Sequence, residues 1–330
     1  MASVIVVVGE ALVDLVGEPD GRYRPVPGGS PANVAVALSR LGVPTELLAR
    51  IGRGVFGALV RSHLEGNGVG LNHAVRADEP VTLAIVSVDR YTGGASYDFY
   101  VDGTADWQWS PGELPGRLPT GTSALCTGSL AVALEPGATQ LVDLVRREAE
   151  RGEVTVVLDP NLRPSLLGSR EQTRDRVESL VALAGIVKVS DEDLAWLAPG
   201  EPVEEIAARW LDLGPRLIVV TLGPRGAYAA TRSGSEITVS GRPVDLVDTV
   251  GAGDSFTAGL LDALHRRSAL GGGAGLDRLD AAGLRSVLDH AALVAALTCA
   301  RRGADPPTAA ELASVANGGT LLDGKQHRHT

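Results

Sequence analysis

The chain has 330 residues, with 30 Lys+Arg against 40 Asp+Glu, a formal net charge of −10, 44% hydrophobic and 21% charged residues, and two cysteines. This composition excludes a disordered chain. The acidic balance argues against a general nucleic-acid or membrane-surface binder. At roughly 150 residues per domain the length suggests two domains, although α/β domains often run longer as one unit.

Val4–Val8 is entirely β-branched and stops at Gly9. It reads as a buried parallel strand and has no basic segment before it, so it is not a signal peptide. The stretch from Pro19 to Pro31 is rich in turn residues. Val34, Ala37, Leu38 and Leu41 predict a helix over 32–41 that stops at Gly42. A second strand is expected at 46–51 and a helix at 56–64, ending at Gly66. Strands at 83–88 and 96–101 are expected to be joined by a Gly93-Gly94 turn. Half of the Phe, Trp and Tyr residues lie between positions 81 and 109, which predicts a small β-element with its own aromatic face.

Beyond Pro119 the alternation becomes regular. Strands are predicted at 124–127, 154–158, 186–189 and Leu217–Thr221. Helices are predicted at Gly137–Arg151, 171–184, Asp191–Leu197, Val203–Leu213, 253–267 and 281–300. This alternation predicts βαβ units and a parallel sheet, with ligands at the C-terminal strand ends. Gly271-Gly272-Gly273-Ala274-Gly275 reads as a flexible linker, and 319–330 as a frayed tail. The longest apolar stretch, near 291–300, falls short of the roughly 20 residues a membrane helix needs. Cys126 and Cys299 sit in no C-x-x-C pair and build no disulfide framework, so a reduced, cytoplasmic setting is expected.

The most informative segment is Asp248-Thr249-Val250-Gly251-Ala252-Gly253-Asp254-Ser255-Phe256. A glycine-rich turn opening a helix is an anion site, because its unsatisfied N–H groups and the helix dipole face outward. Asp254 stands in the first turn. A carboxylate beside an anion hole is the minimum equipment for moving a phosphoryl group to an alcohol. An ordinary Asp-capped helix is the competing reading. The segment is not a dinucleotide fingerprint, since Phe256 stands where Gly or Ala is required.

This segment resembles the D-T-x-G-A-G-D signature of the PfkB, or ribokinase-like, carbohydrate kinases. Four more segments resemble that family in its order. Gly9-Glu10-Ala11-Leu12-Val13-Asp14 is similar to its strand-end sugar segment, and Gly28-Gly29-Ser30-Pro31-Ala32-Asn33 to its G-G-x-x-x-N signature. Asp159-Pro160-Asn161-Leu162-Arg163 is similar to the D-x-N-x-R of its fructokinase-like branch, and Thr221-Leu222-Gly223-Pro224-Arg225-Gly226 to its T-x-G-x-x-G nucleotide loop.

The resemblance implies a ribokinase-like three-layer α/β/α fold with a mainly parallel central sheet. One kinase domain would span 1–318, with a small discontinuous β lid from about 11–30 and 81–110. It implies ATP and Mg²⁺ as cofactors, with K⁺ near Asp248 and 296–303. Asp254 would be the general base and Gly251, Ala252 and Gly253 the anion hole. Asp14, Gly28, Gly29, Asn33 and Arg163 would hold the sugar, the paired glycines letting it lie against backbone; a surface ion pair is the rival role for Arg163. Lys188, Ser190, Thr221, Gly223 and Gly226 would line the ATP site. The aromatic β-element would close over the sugar to exclude water, and its outer face would form a homodimer.

Two segments depart from the family. Its N-x-x-E metal segment reads Ser190-Asp191-Glu192-Asp193 here, leaving Asp193 or Glu192 to order Mg²⁺ through water; helix-dipole compensation is the alternative. Gly52-Arg53-Gly54 places a cation where the family more often has acids, which admits an acid sugar. The fructokinase-like look of 28–34, 95–109 and 159–164 makes fructose the favoured substrate, and Arg53 with Arg163 makes 2-keto-3-deoxygluconate the runner-up. Gly319–Lys325 has Walker A spacing but Gln326 in place of Ser/Thr. A two-carboxylate glycosidase and a silent sugar sensor are the remaining alternatives.

Overall fold

The computed structural model describes residues 3–18, 20–88 and 95–316. In chain order its elements are β1 (Val4–Val8), β2 (Leu12–Gly17), β3 (Tyr23–Gly28), α1 (Ser30–Arg40), β4 (Thr45–Leu48), β5 (Arg50–Arg53), α2 (Gly54–Gly66), β6 (Val75–Pro80), β7 (Leu83–Val88) and β8 (Ala95–Tyr100). There follow β9 (Thr122–Gly128), α3 (Gly137–Arg151), β10 (Thr155–Asp159), α4 (Arg170–Val181), β11 (Ile186–Ser190), α5 (Asp191–Leu197), α6 (Val203–Leu213), β12 (Leu217–Thr221), β13 (Ala227–Thr231), β14 (Glu236–Val239), α7 (Ala252–Arg266), α8 (Ala281–Cys299) and α9 (Ala309–Ala316).

Eight strands form the main sheet in the order β14-β13-β12-β11-β10-β9-β1-β4. Pairing is parallel from β4 to β12 and antiparallel at β13 and β14. Side chains along β1 alternate between two cores, as strand geometry dictates. Ile5 and Val7 pack with α1, α7 and α8 on one face, whereas Val6 and Val8 pack with α3, α4 and α6 on the other. The result is an α/β/α sandwich. α8 is long and apolar enough to cross a membrane, contrary to the sequence expectation. Here it is a core helix, with Leu284, Val287, Leu288, Ala291 and Val294 buried.

A separate four-stranded sheet, ordered β3-β2-β7-β8, stands beyond the C-terminal end of β1. Its register puts Asp14, Ala84 and Phe99 in one cross-strand row and Val16, Val86 and Tyr97 in the next row on the same face. The Gly93-Gly94 turn and the 319–330 tail, including the Walker-like segment, lie outside the described residues.

The strand expected at 46–51 is two strands. Thr45–Leu48 pairs with β1, while Arg50–Arg53 turns away to pair with β6. The buried Arg50 explains the break: it donates to Glu79, Glu113 and the Ala105 carbonyl, partners the main sheet does not offer. Trp107 and Trp109 also depart from expectation. They are buried under the N-terminus of α3, where a Cβ on Gly137 would stand 3.0 Å from the Trp109 ring. They anchor the small sheet's return to the main body and are not part of its aromatic face. Nor is 271–275 a free linker, since Gly271 N–H donates to Thr155 Oγ1 at 2.9 Å and Gly275 is pressed onto Ala269.

Candidate active site

The site lies where α1, α7 and the small sheet meet the C-terminal ends of β1, β10, β11 and β12. Asp254 is 8% exposed in the first turn of α7. Its Oδ1 accepts from Ser30 Oγ at 2.6 Å and its Oδ2 from Asn33 Nδ2 at 2.8 Å. Both donors stand on the first turn of α1, which packs against α7. Burial raises the Asp254 pKa, the two hydrogen bonds oppose that rise, and Asp159 adds to it. A buried carboxylate with an upshifted pKa is suited to take a proton from a hydroxyl.

The turn before Asp254 is open to an anion. Among the described residues, the N–H groups of Gly251, Gly253 and Asp254 have no protein acceptor. Ala252 differs from the sequence expectation, because its N–H already donates to Thr249 O at 3.2 Å. Asp248 braces the turn from below: Oδ1 accepts from Val250 N–H at 3.1 Å and Oδ2 from Gly303 N–H at 2.8 Å. Lys188 Nζ sits against Gly253, 3.2 Å from where a Cβ would be, and donates to Asp159 Oδ2 at 3.0 Å. Burial works against its charge, but the hydrogen-bonded Asp159 carboxylate, with the charges of Asp254 and Asp193, outweighs this and raises its pKa.

Across the cleft, Asp14 on β2 is raised to about 6, chiefly by burial, with Arg163 opposing and Asp254 adding to the rise. The paired glycines stand close to other protein groups. A Cβ on Gly28 would stand 2.3 Å from Asp14 Oδ2, and one on Gly29 would stand 2.7 Å from the Glu10 carbonyl. The space beside Gly28 thus admits the Asp14 carboxylate, and that beside Gly29 the Glu10 main chain. Gly29 also has φ +100, a conformation that glycine adopts without steric cost. On the sugar-holding role that the sequence resemblance implies for Asp14, Gly28→Ala is expected to displace Asp14 and lower kcat/KM for the sugar by about 100-fold; steady-state kinetics over a range of sugar concentrations checks it.

Arg163 Nη1 donates to Asn161 Oδ1 at 2.8 Å and Leu162 O at 2.9 Å. Its charge lowers the pKa of Asp14, Glu10 and Asp193. Arg53, in contrast, is an exposed residue at the N-cap of α2. Tyr97 reaches the site from β8: burial raises its pKa, as do the charges of Asp14, Asp248 and Asp254. Its ring stacks on Phe99 at 6.0 Å.

Ser190 and Thr221 are register partners at the ends of β11 and β12. Ser190 Oγ accepts from Asp193 N–H at 3.0 Å, capping α5. Gly223 faces open space, whereas the space beside Gly226 is filled by Val239 O, so Gly226 is a packing glycine. Asp193 faces inward and accepts from Leu162 N–H at 3.2 Å; burial and the Asp159 charge raise its pKa. Glu192 is exposed.

Sequence reasoning passed over Ser30, Glu10, Asp106 and the pairing of Asp159 with Lys188. Ser30 stands inside the quoted glycine segment, so its signal was present. Asp106 had none: it is a buried carboxylate accepting from Ala11 N–H at 2.8 Å. Among the described residues, Glu10 and Asp106 each keep one buried oxygen without a partner. Burial lifts Glu10 from its ordinary 4.5 to about 7 and Asp106 from 3.8 to about 6. A carboxyl with a raised folded pKa stabilises the fold while protonated, and that contribution is lost as pH rises through the folded value. For Glu10 the loss falls between pH 4.5 and about 7 and amounts to about 3 kcal/mol. Thermal unfolding is therefore expected to show lower stability at pH 8 than at pH 5, and Glu10→Gln should flatten that slope. An unchanged slope would refute the assignment.

A buried carboxylate, an open glycine turn at a helix start and an ammonium beside that turn are suited to transferring a phosphoryl group to a hydroxyl. A family model described as pfkB family carbohydrate kinase matches residues 2–310. A fructokinase of Rhizobium leguminosarum bv. trifolii is 34% identical over 260 residues, which is 78% of each chain. A Vibrio cholerae O395 fructokinase double mutant, solved with fructose, ADP and potassium, superposes with a TM-score of 0.82 at 30% identity, covering 94% of this chain and 97% of the other. A Xylella fastidiosa fructokinase with bound ATP gives a TM-score of 0.87 at 27% identity over 96% and 99%. The chain belongs to the pfkB family of carbohydrate kinases.

Proposed function

We propose that the protein transfers the γ-phosphoryl group of ATP to a hydroxyl of D-fructose, giving fructose 6-phosphate. The observation that carries this reading is Asp254, held by Ser30 and Asn33 at the mouth of a turn whose N–H groups are free. Asp14, Asn33 and Arg163 hold the sugar, and Tyr97 and Phe99 cover it. Asp254 takes the hydroxyl proton as the oxygen attacks phosphorus in line. The Gly251, Gly253 and Asp254 N–H groups and Lys188 receive the charge that develops on the phosphoryl oxygens. ATP lies along the ends of β11 and β12, past Ser190, Thr221 and Gly223.

Asp193 fits Mg²⁺: it is a hard oxygen donor whose charge is disfavoured by burial and by Asp159, a strain that a cation relieves. One or two carboxylates with water and phosphates suffice for this ion. When bound it would neutralise phosphate charge. K⁺ beside Asp248 belongs to the same reading, as does a cytoplasmic location, in keeping with two free thiols. The outer face of the small sheet carries Tyr23 at 52% and Tyr100 at 59% exposure, and we propose it as a homodimer interface. A monomer in light scattering would contradict that part.

An ADP-release assay over a panel of sugars tests the substrate. Turnover is expected with fructose. Turnover with 2-keto-3-deoxygluconate but not fructose would overturn the choice, and Arg163 would then be the residue facing the acid.

A further inference from the structure

We infer that Asp159 is a positioning residue for phosphoryl transfer, fixing the Lys188 ammonium beside the glycine turn and clamping the first turn of α7 onto the central sheet. This rests on the kinase reading and deepens it. Asp159 ends β10, 5% exposed, and one oxygen does two jobs. Oδ2 accepts from Lys188 Nζ on β11 at 3.0 Å and lies 3.0 Å from Thr257 Oγ1 on α7. That hydroxyl is also 3.1 Å from the Gly253 carbonyl, so its single proton is shared between the sheet and the anion turn. Three elements are thus joined at one carboxylate oxygen. The main chain of Asp159 is held as well: a Cβ on Gly128, at the end of neighbouring β9, would stand 1.7 Å from its carbonyl oxygen.

The geometry gives Lys188 a direction. Its ammonium has three protons. Asp159 takes one, and Gly253 lies on the side toward the open N–H groups. Without Asp159 the buried ammonium would lose its counter-ion and its anchor together. Asp254 and Asp193 also act on Lys188 electrostatically, but neither is hydrogen-bonded to it. A buried ion pair is weak evidence for stability, because apolar replacement of both partners is often neutral. The Asp159–Lys188 pair is therefore better explained by the site than by the fold.

The double variant Asp159→Leu/Lys188→Met separates the two roles, since it removes the pair without stranding a charge. Its unfolding temperature is expected to stay near that of the parent. Its kcat should fall by about 100-fold, the scale of losing one preorganised donor, with the sugar KM unchanged. Calorimetric titration should show weakened binding of AMP-PNP but not of ADP, because only the terminal phosphoryl group reaches the turn. A folded double variant with kcat within about threefold of the parent would overturn the inference. If that variant does not fold, Asp159→Asn decides: a lowered kcat with unchanged sugar KM supports the inference, and parental kcat refutes it. A parent protein that releases no sugar-dependent ADP and binds neither nucleotide would instead sink the kinase reading.

Discussion

Asp254→Asn is expected to lower kcat by about three orders of magnitude and to leave the fold intact. The amide is nearly the same size, and its oxygen can still accept from Ser30 or Asn33. It cannot take a proton, so the attacking hydroxyl stays neutral as the phosphoryl group arrives. On the proposed roles, Asp14, Asn33 and Arg163 carry most of the sugar binding, so KM should move little. A fall in kcat with a preserved unfolding temperature is the expected pattern. The activity of the parent protein should also carry an acidic limb, because the base acts only when ionised and its pKa is raised by burial. Raising pH therefore favours activity while it weakens the protonated Glu10 and Asp106 contribution to stability. The two profiles are expected to run in opposite directions, and the working pH is a compromise between them.

Gly251→Ala is the second large effect. The residue has φ +75, which costs a non-glycine residue about 1–2 kcal/mol. A Cβ there would also stand 2.6 Å from Ala304 Cβ and 2.9 Å from its Cα. Ala304 follows the segment that Asp248 holds through Gly303, so it has little freedom to retreat. The turn must shift instead, and its N–H groups move off the phosphoryl position. A kcat reduction of about 100-fold is expected, together with a lower unfolding temperature. Gly253→Ala makes a useful contrast: the atom it would crowd is Lys188 Nζ, at 3.2 Å, the end of a flexible side chain. Retention of the fold with a smaller loss of activity is the expected outcome there, measured by the same kinetics.

The parts that were legible in the sequence share one property, which is locality. The glycine turn and the first turn of α7 occupy adjacent positions, and the strands after Pro119 are short apolar runs between helices. Local spacing reports such features directly. What holds Asp254 is not local. Ser30 and Asn33 stand 224 and 221 positions away, and only the packing of α1 on α7 brings them together. The same holds for Asp159 and Lys188, and for Asp106 under Ala11. The glycines illustrate a subtler limit. Gly28, Gly29 and Gly226 were conspicuous as small residues, but smallness alone does not say which atom fills the space. In all three it is a protein oxygen, from Asp14, Glu10 and Val239 in turn. Trp107 and Trp109 were grouped with the aromatic strands by sequence proximity, whereas the segment between β8 and β9 carries both under the N-terminus of α3 and Trp109 into the core on that face.

The destination of the γ-phosphoryl group of ATP decides between sugar phosphorylation and simple ATP hydrolysis. Phosphorus NMR of a reaction containing the protein, ATP, Mg²⁺ and D-fructose follows every product at once. Transfer to the sugar predicts ADP and a sugar phosphate ester in equal amounts, with no ADP formed when sugar is omitted. ADP accompanied by inorganic phosphate, formed at the same rate without sugar, would contradict it.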